Sequence, residues 1–335
     1  MNLTSPSRRD FLAAAATTAG LAHSSDAAQP DDKNLANRAL IAITLDLEMS
    51  RNFPGWNDTE WDFEKGNLNE PTKRYTVEAC RRVRAHGGVI HCFAVGRVFE
   101  QANVDWLRGI VKAGHPVGNH TYDHVNVLAT RPEDVQFRFR RCPWLIEGRK
   151  PAEVIRDNIR LCTAAMRSRL EVSPAGFRTP GGFSDGLRDR PDVQQMLRDL
   201  GYAWVSSLYP AHRMSTAGKE PGPDVFKSIV AAQAAAQPFI YNRGLIEIPM
   251  SPVSDIGAFR GGRWHLKWFL RAVREAVEWA IDNRRVFDFL AHPSCLYVTD
   301  PEFRTIELIC ELVRKAGNRA ALVDLNTIAG RVKRP

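Results

Sequence analysis

The chain has 335 residues, with 46 lysines and arginines against 38 acidic residues and a formal net charge of +8 at pH 7. Its basic residues are scattered, without a solid basic block or a basic stripe interleaved with aromatics. That argues against a nucleic-acid binder and leaves only a mild attraction to anionic surfaces such as cell-wall polymers.

Residues 1–28 read as an export signal. Ser7-Arg8-Arg9-Asp10-Phe11-Leu12 is a twin-arginine pattern, followed by an apolar run over 11–22. That run is short of the roughly 20 residues needed to span a bilayer, as a removable signal should be. Cleavage after Ala22, Ser24 or Ala27 would each leave small residues beside the cut; retention as a tether is the alternative. No later stretch is apolar for long enough to cross a membrane. The expectation is a periplasmic or extracellular protein without stable membrane insertion, its residues 29–335 forming one domain.

The elements then follow in order. Residues 39–46 read as a buried strand, 72–86 as a helix and 88–95 as a second strand. Helix 104–113 precedes a short strand at 115–119. Helix 153–170 precedes strand 175–178, and helix 192–200 precedes strands at 202–207 and 245–250. Helix 264–283, strand 286–291, helix 302–316 and strand 320–325 complete the chain. Strands alternating with helices imply parallel βαβ units. Seven or eight such units point to a (β/α) barrel, with a doubly wound sheet as runner-up. No glycine-rich dinucleotide fingerprint follows the first strand. Two segments break the pattern: 49–70, carrying Phe53, Trp56, Trp61 and Phe63, and 210–238, whose alanine-rich part is a candidate helix.

Chemistry-bearing residues cluster at the C-terminal ends of these strands, the catalytic face of a (β/α) barrel. Asp46 and Glu48 stand two apart, so their side chains share one face while Leu47 points away. His120 and His124 have the spacing that lets two imidazoles share a metal if the segment turns helically; two surface histidines are the plainer alternative. Arg178 precedes Thr179-Pro180-Gly181-Gly182, a turn signal able to bring backbone N–H groups close to a ligand. His292 ends a strand, and imidazole is suited to proton delivery near neutral pH. The six cysteines show no metal-ligand spacing, and Cys80, Cys92 and Cys162 sit in apolar patterns that predict buried thiols. Cys295 lies three residues past His292.

The ordered set Thr44-Leu45-Asp46-Leu47-Glu48, Gly118-Asn119-His120-Thr121-Tyr122-Asp123-His124, Arg178-Thr179-Pro180-Gly181-Gly182 and Leu290-Ala291-His292 resembles the polysaccharide deacetylase (NodB-homology) family. That resemblance implies a distorted (β/α) barrel of about seven strands and a metal-dependent hydrolase of non-peptide carbon–nitrogen bonds. It further implies that His120 and His124 bind the metal, usually zinc, and that Asp46 is the general base. Arg178 would tether Asp46, and His292 would protonate the leaving group. Two departures stand out. The position after Asp46 is Leu47 where the family has a metal-binding aspartate, and Glu48 is the natural replacement. The family's aspartate that tunes the catalytic histidine has no clear counterpart: Ser206 and Ser207 occupy the expected place, Asp255 is the substitute, and Asp288 lies deeper and suggests packing.

The expected substrate is an N-acetylated extracytoplasmic glycan. Pro180 and Gly181 would line its site, with Trp56 and Trp61 either stacking on sugar rings or packing their own loop. A cyclic amide or ureide hydrolase on the same scaffold is one rival; a non-catalytic glycan- or metal-binding protein is the other.

Overall fold

The computed structural model describes residues 35–49 and 65–332. The expected signal at 1–28 and the aromatic side chains of Phe53, Trp56, Trp61 and Phe63 lie outside the described residues.

Strand β1 (Ala39–Leu47) is buried throughout, and its alternation sets the layout of the fold. Ile41, Ile43, Leu45 and Leu47 face outward into the largest apolar cluster, while Leu40 and Ala42 face inward against Phe93, Trp204 and Ile248. Continuing that inward parity leads to Thr44, Asp46 and then Glu48, all buried. The inner face of one strand thus runs from apolar to acidic toward its C-terminal end.

The same alternation recurs on β2 (Ile90–Ala94) and β8 (Val286–Ala291). On β8, Phe287, Phe289 and Ala291 join the outer cluster. Asp288 and Leu290 fall on the other face, and His292 continues it just past the strand. The outer layer is supplied by α1 (Glu70–Ala85), α8 (Leu266–Asp282) and α10 (Arg304–Ala316). A second apolar cluster packs α5 (Pro151–Leu170) and α6 (Pro191–Asp199) against β4 and β5.

The strands form one sheet in the order β6-β7-β5-β4-β3-β2-β1-β8, with β9 (Ala320–Leu322) also pairing β1. The remaining members are β3 (Val117–Asn119), β4 (Gly176–Phe183), β5 (Trp204–Leu208), β6 (Phe239–Ile240) and β7 (Ile246–Glu247). Among the described residues, only β6 runs antiparallel to its neighbour. The sheet curls into a distorted barrel of eight strands on a continuous path. Single bonds beyond β7 bridge the gap to β8: Ser251 N–H donates to the Asp288 carbonyl at 2.8 Å, and Leu290 N–H to Ser251 Oγ at 3.2 Å.

Several expected boundaries move. The segment expected to turn after Arg178 stays in β4 through Phe183, with the register against β5 shifting between those residues. Gly181, at φ +74°, absorbs the irregularity. The strand expected at 245–250 pairs only over Ile246–Glu247. The strand expected at 320–325 stops at Leu322, because the Asp324 carboxylate accepts from Thr327 N–H at 2.8 Å and caps a helix, α11 (Leu325–Arg331). The alanine-rich segment is helical, as α7 (Pro223–Ala235).

All six cysteines are free thiols, five of them buried. Burial pushes the Cys162 thiol up to about 12. Cys295 is fully buried in α9 (Pro293–Thr299) and does not line the cavity described below.

Candidate active site

A cavity of about 350 Å³ opens at the C-terminal ends of the strands, lined by Asp46, Glu48, His120, His124 and His292. Residues as far apart in the chain as Asp46 and His292 therefore share one space. Gly181 and Gly182 also line it, whereas Pro180 is buried in β4 and does not.

The two histidines are held by a loop, not by the helical turn their spacing suggested. Thr121 and His124 both adopt left-handed conformations, at φ 59°. The loop is pinned from both ends by its own polar residues. Asn119 Oδ1 accepts from Thr121 N–H at 2.7 Å, and its amide donates to the Ile159 carbonyl and the Tyr202 hydroxyl, each at 2.8 Å. Asp123 accepts from Arg97 at 2.7 Å and Arg138 at 2.6 Å, while its N–H donates to Asn158 at 2.7 Å. Gly118 precedes them because a Cβ there would stand 2.5 Å from the Phe93 ring.

Glu48 is the hub. Its Oε2 lies 2.5 Å from His124 Nε2 and 3.7 Å from His120 Nε2, and its Oε1 lies 2.5 Å from Lys65 Nζ. Burial opposes ionisation of Glu48, yet its contact with His124 and the charges of Lys65 and His292 hold its carboxyl well below the usual range. Burial drives His124 down to about 3 and lowers His120 as well, so both imidazoles stay neutral near pH 7. His120 Nδ1 sits 3.0 Å from the Arg178 carbonyl. A carbonyl only accepts, so Nδ1 carries the proton and Nε2 keeps its lone pair for the cavity. One carboxylate oxygen and two neutral imidazole nitrogens lie within 4.8 Å of one another. That donor set fits a borderline divalent cation such as zinc, with room left for a water or substrate.

Two other pairs sit below and beside this set. His292 Nδ1 donates to Asp255 Oδ1 at 2.9 Å, and His292 N–H donates to Asp255 Oδ2 at 2.7 Å. Burial alone would push His292 down, but the Asp255, Glu48 and Asp46 charges outweigh it and hold its pKa above the ordinary value. Asp255 thus stands where a tuning aspartate was wanted. Ser207 is engaged elsewhere: its hydroxyl donates to buried Glu247 at 2.6 Å.

Arg178 does not tether Asp46 in the expected way. Its guanidinium donates to Asp288 at 2.8 Å and to Thr44 at 3.0 Å, and it stacks over Phe93 at 4.7 Å. Asp46 Oδ1 lies 3.8 Å from Arg178 Nη1, an ion-pair separation without a hydrogen bond. The reason is depth on the strand: Arg178 lies level with Asp288 and Thr44, which bond each other at 2.8 Å. Asp46 sits one step higher, at the cavity wall.

Motif reading missed Lys65, which lies within the 49–70 segment and is buried at 1% exposure. A buried ammonium against Glu48 would be costly unless the pair is complete, and removing one partner of a buried pair costs about 3–5 kcal/mol. Lys65→Met is therefore expected to lower the melting temperature of metal-free protein sharply. Added zinc should raise that temperature more than in wild type, because a bound cation replaces the lost charge beside Glu48. Equal losses with and without zinc, in a thermal melt, would reduce Lys65 to packing.

Residues 62–205 match the family model for polysaccharide deacetylase. The fold is shared with a candidate polysaccharide deacetylase from Mycobacterium smegmatis, at 15% identity over 92% of this chain and 96% of that one, with a TM-score of 0.58. A probable polysaccharide deacetylase from Pseudomonas aeruginosa PAO1 aligns at 11% identity over 90% and 94%, also with a TM-score of 0.58. An allantoinase aligns at 11% identity over 91% and 94%, again at 0.58. At these identities the likeness concerns the fold. No curated protein sequence matches the chain. The matched stretch contains Lys65, His120, His124 and Arg178, whereas Asp46, Glu48, Asp255 and His292 lie outside it and are brought in by the curl of the sheet. Over residues 62–205 the chain is similar to the polysaccharide deacetylase family, and over nine-tenths of its length it shares the fold of these solved structures.

Proposed function

We propose that the chain is a metal-dependent amidohydrolase that removes acetyl groups from an N-acetylated glycan outside the cytoplasm. The observation that carries this reading is the convergence of Asp46, the Glu48–His120–His124 donor set and the Asp255–His292 pair on one cavity. Export rests on the twin-arginine pattern at Ser7–Leu12. Among the described residues, no helix is long and apolar enough to cross a membrane.

Glu48, His120 and His124 would hold the cation, whose chemistry when bound is to acidify water and polarise a carbonyl. Asp46 takes the proton from the attacking water, with the Arg178 guanidinium beneath it as a positive neighbour. The water oxygen joins the acyl carbon, and a backbone N–H near Pro180-Gly181 would stabilise the oxygen that gains charge. His292 Nε2–H, oriented from behind by Asp255, gives its proton to the amine nitrogen as the C–N bond breaks. The products are acetate and a free amine.

His292 must be protonated to act, and its raised pKa keeps it so to higher pH. Asp255→Asn removes the chief charge that raises it. The alkaline limb of the kcat/KM profile is therefore expected to move to lower pH. An unmoved limb would assign that limb to a group other than His292.

Acetate release followed by proton NMR tests the reading directly, with zinc-loaded protein, chitooligosaccharides, peptidoglycan fragments, acetylated xylan and cyclic ureides, and a His292→Ala control. A cyclic ureide hydrolase is the second reading, because an allantoinase shares this fold as closely as the two deacetylases do. Ring-opened ureide without acetate would select it. Silence from every substrate would leave the non-catalytic binding protein.

A further inference from the structure

A second cavity, of about 300 Å³, adjoins the catalytic one. The two share Gly182, Tyr209 and Gly257 as walls, so they lie side by side. The rest of its surface comes largely from Pro210, Met214, Val253, Ala258 and Trp264.

The polar atoms of its aromatic walls are already engaged. Trp264 Nε1–H donates to Ser215 Oγ at 2.7 Å. The Tyr209 hydroxyl donates to Ser254 Oγ at 3.2 Å and accepts from Ser254 N–H at 3.1 Å. His212 Nδ1 lies 2.7 Å from the Arg213 carbonyl. Ring faces and alkyl surface make up most of what remains for an occupant, with His212 Nε2 and the Ser184 hydroxyl as its polar points. Buried water needs about three hydrogen-bond partners to be held well, and this lining offers few. A sugar ring would likewise lose the hydration of its hydroxyls without replacement. An alkyl or aryl group would gain by leaving water. Met214, 66% exposed at the edge of this space, is an unbranched thioether able to fit itself to chains of different shape.

The placement of the reaction decides which end of the substrate enters. In the proposed mechanism the carbonyl oxygen would lie toward Gly181 and the amine toward His292, both of which line the catalytic cavity. Gly182, next along β4, is a wall of both cavities, so the group carried by the carbonyl carbon is the one that passes it. We propose that this second cavity is an acyl-chain subsite and that the enzyme prefers N-acyl amides whose alkyl or aryl acyl group is longer than acetyl. The proposal rests on the amidohydrolase reading. The bond changes are the same: water adds its oxygen to the acyl carbon, the C–N bond breaks, and a longer carboxylate leaves in place of acetate.

Titration calorimetry on zinc-loaded, inactive Asp46→Asn protein would compare N-hexanoylglucosamine with N-acetylglucosamine, while wild-type turnover of both is followed by NMR. The hexanoyl compound is expected to bind at least about tenfold tighter, through the methylenes it buries. That advantage is expected to collapse when Gly257→Leu or Ala211→Trp is added, since each new side chain fills the subsite. A Cβ at Gly257 meets its nearest neighbour, the Tyr209 hydroxyl, at an ordinary 3.4 Å. Ala211 is an exposed lining residue, so the two variants load the fold in different places. Equal affinities, no binding of either compound, or an advantage that survives both variants would overturn the subsite. Hydrolysis of neither amide by wild type would instead overturn the amidohydrolase reading, and the calorimetry would still decide the pocket.

Discussion

Asparagine in place of Asp46 is expected to cut kcat by about 10²–10⁴-fold, with melting temperature and zinc content close to those of wild type. The carboxylate is 4% exposed, its Oδ2 lies 3.7 Å from His120 Nε2, and its Oδ1 makes no hydrogen bond among the described residues. It therefore stands beside the donor set without a structural duty of its own. Asparagine matches its shape but has no basic oxygen to take a proton from water. Stability should survive, because Arg178 keeps its shorter contacts to Asp288 and Thr44 when the 3.8 Å contact is weakened. Glu48→Gln should behave differently, losing zinc as well as rate, since it removes a charged ligand and strands Lys65. Measuring kcat, zinc content and melting temperature on both variants separates the two carboxylates. Near-wild-type turnover in Asp46→Asn would sink its role as base.

The roles of Asp46 and Glu48 could be guessed from the chain because strand parity is a local property. Two residues apart at the end of an apolar strand means one face, and the strand's burial means that face is a cavity wall. His120 and His124 were legible from their four-residue spacing, although a loop and not a helical turn presents them, and His292 from its place at a strand end. Their partners were not equally so. Asp288 shares the parity of His292, and a carboxylate inside an apolar strand must find a cation. That signal was present, but only the curl of the sheet, which brings the inner face of β4 against those of β1 and β8, identifies the cation as Arg178. Lys65 carries no motif at all; it reaches Glu48 because Met49 N–H donates to the Lys65 carbonyl at 2.9 Å, closing the long loop on itself. The second cavity was likewise invisible. It depends on how the 209–214 segment, Val253 and Trp264 meet, and no spacing in the chain encodes that meeting. Among the elements, long amphipathic helices were placed to within a few residues. Short ones such as α9 and the π-helical turn Ile256–Gly261 were missed, since one or two turns give too few repeats to show a period.

The buried pair of Arg178 and Asp288 gives the largest expected effect on stability. Both side chains are fully buried, and burial pushes Asp288 up to about 6 against the opposing pull of Arg178. Arg178→Met leaves that carboxyl without its cation and should cost about 3–5 kcal/mol, read as a lower midpoint in denaturant melts. Adding Asp288→Asn should recover part of the loss, because the second substitution removes the charge that the first one stranded. A double variant as unstable as the sum of the singles would show that packing over Phe93, not the ion pair, is what Arg178 supplies. Turnover should fall in the double variant even where stability returns. Asp46 would then lack the positive neighbour beneath it, while His120 would keep its bond to the backbone carbonyl of residue 178. Loss of rate with retention of zinc is the pattern that separates Arg178's part in placing the base from its part in holding the barrel together.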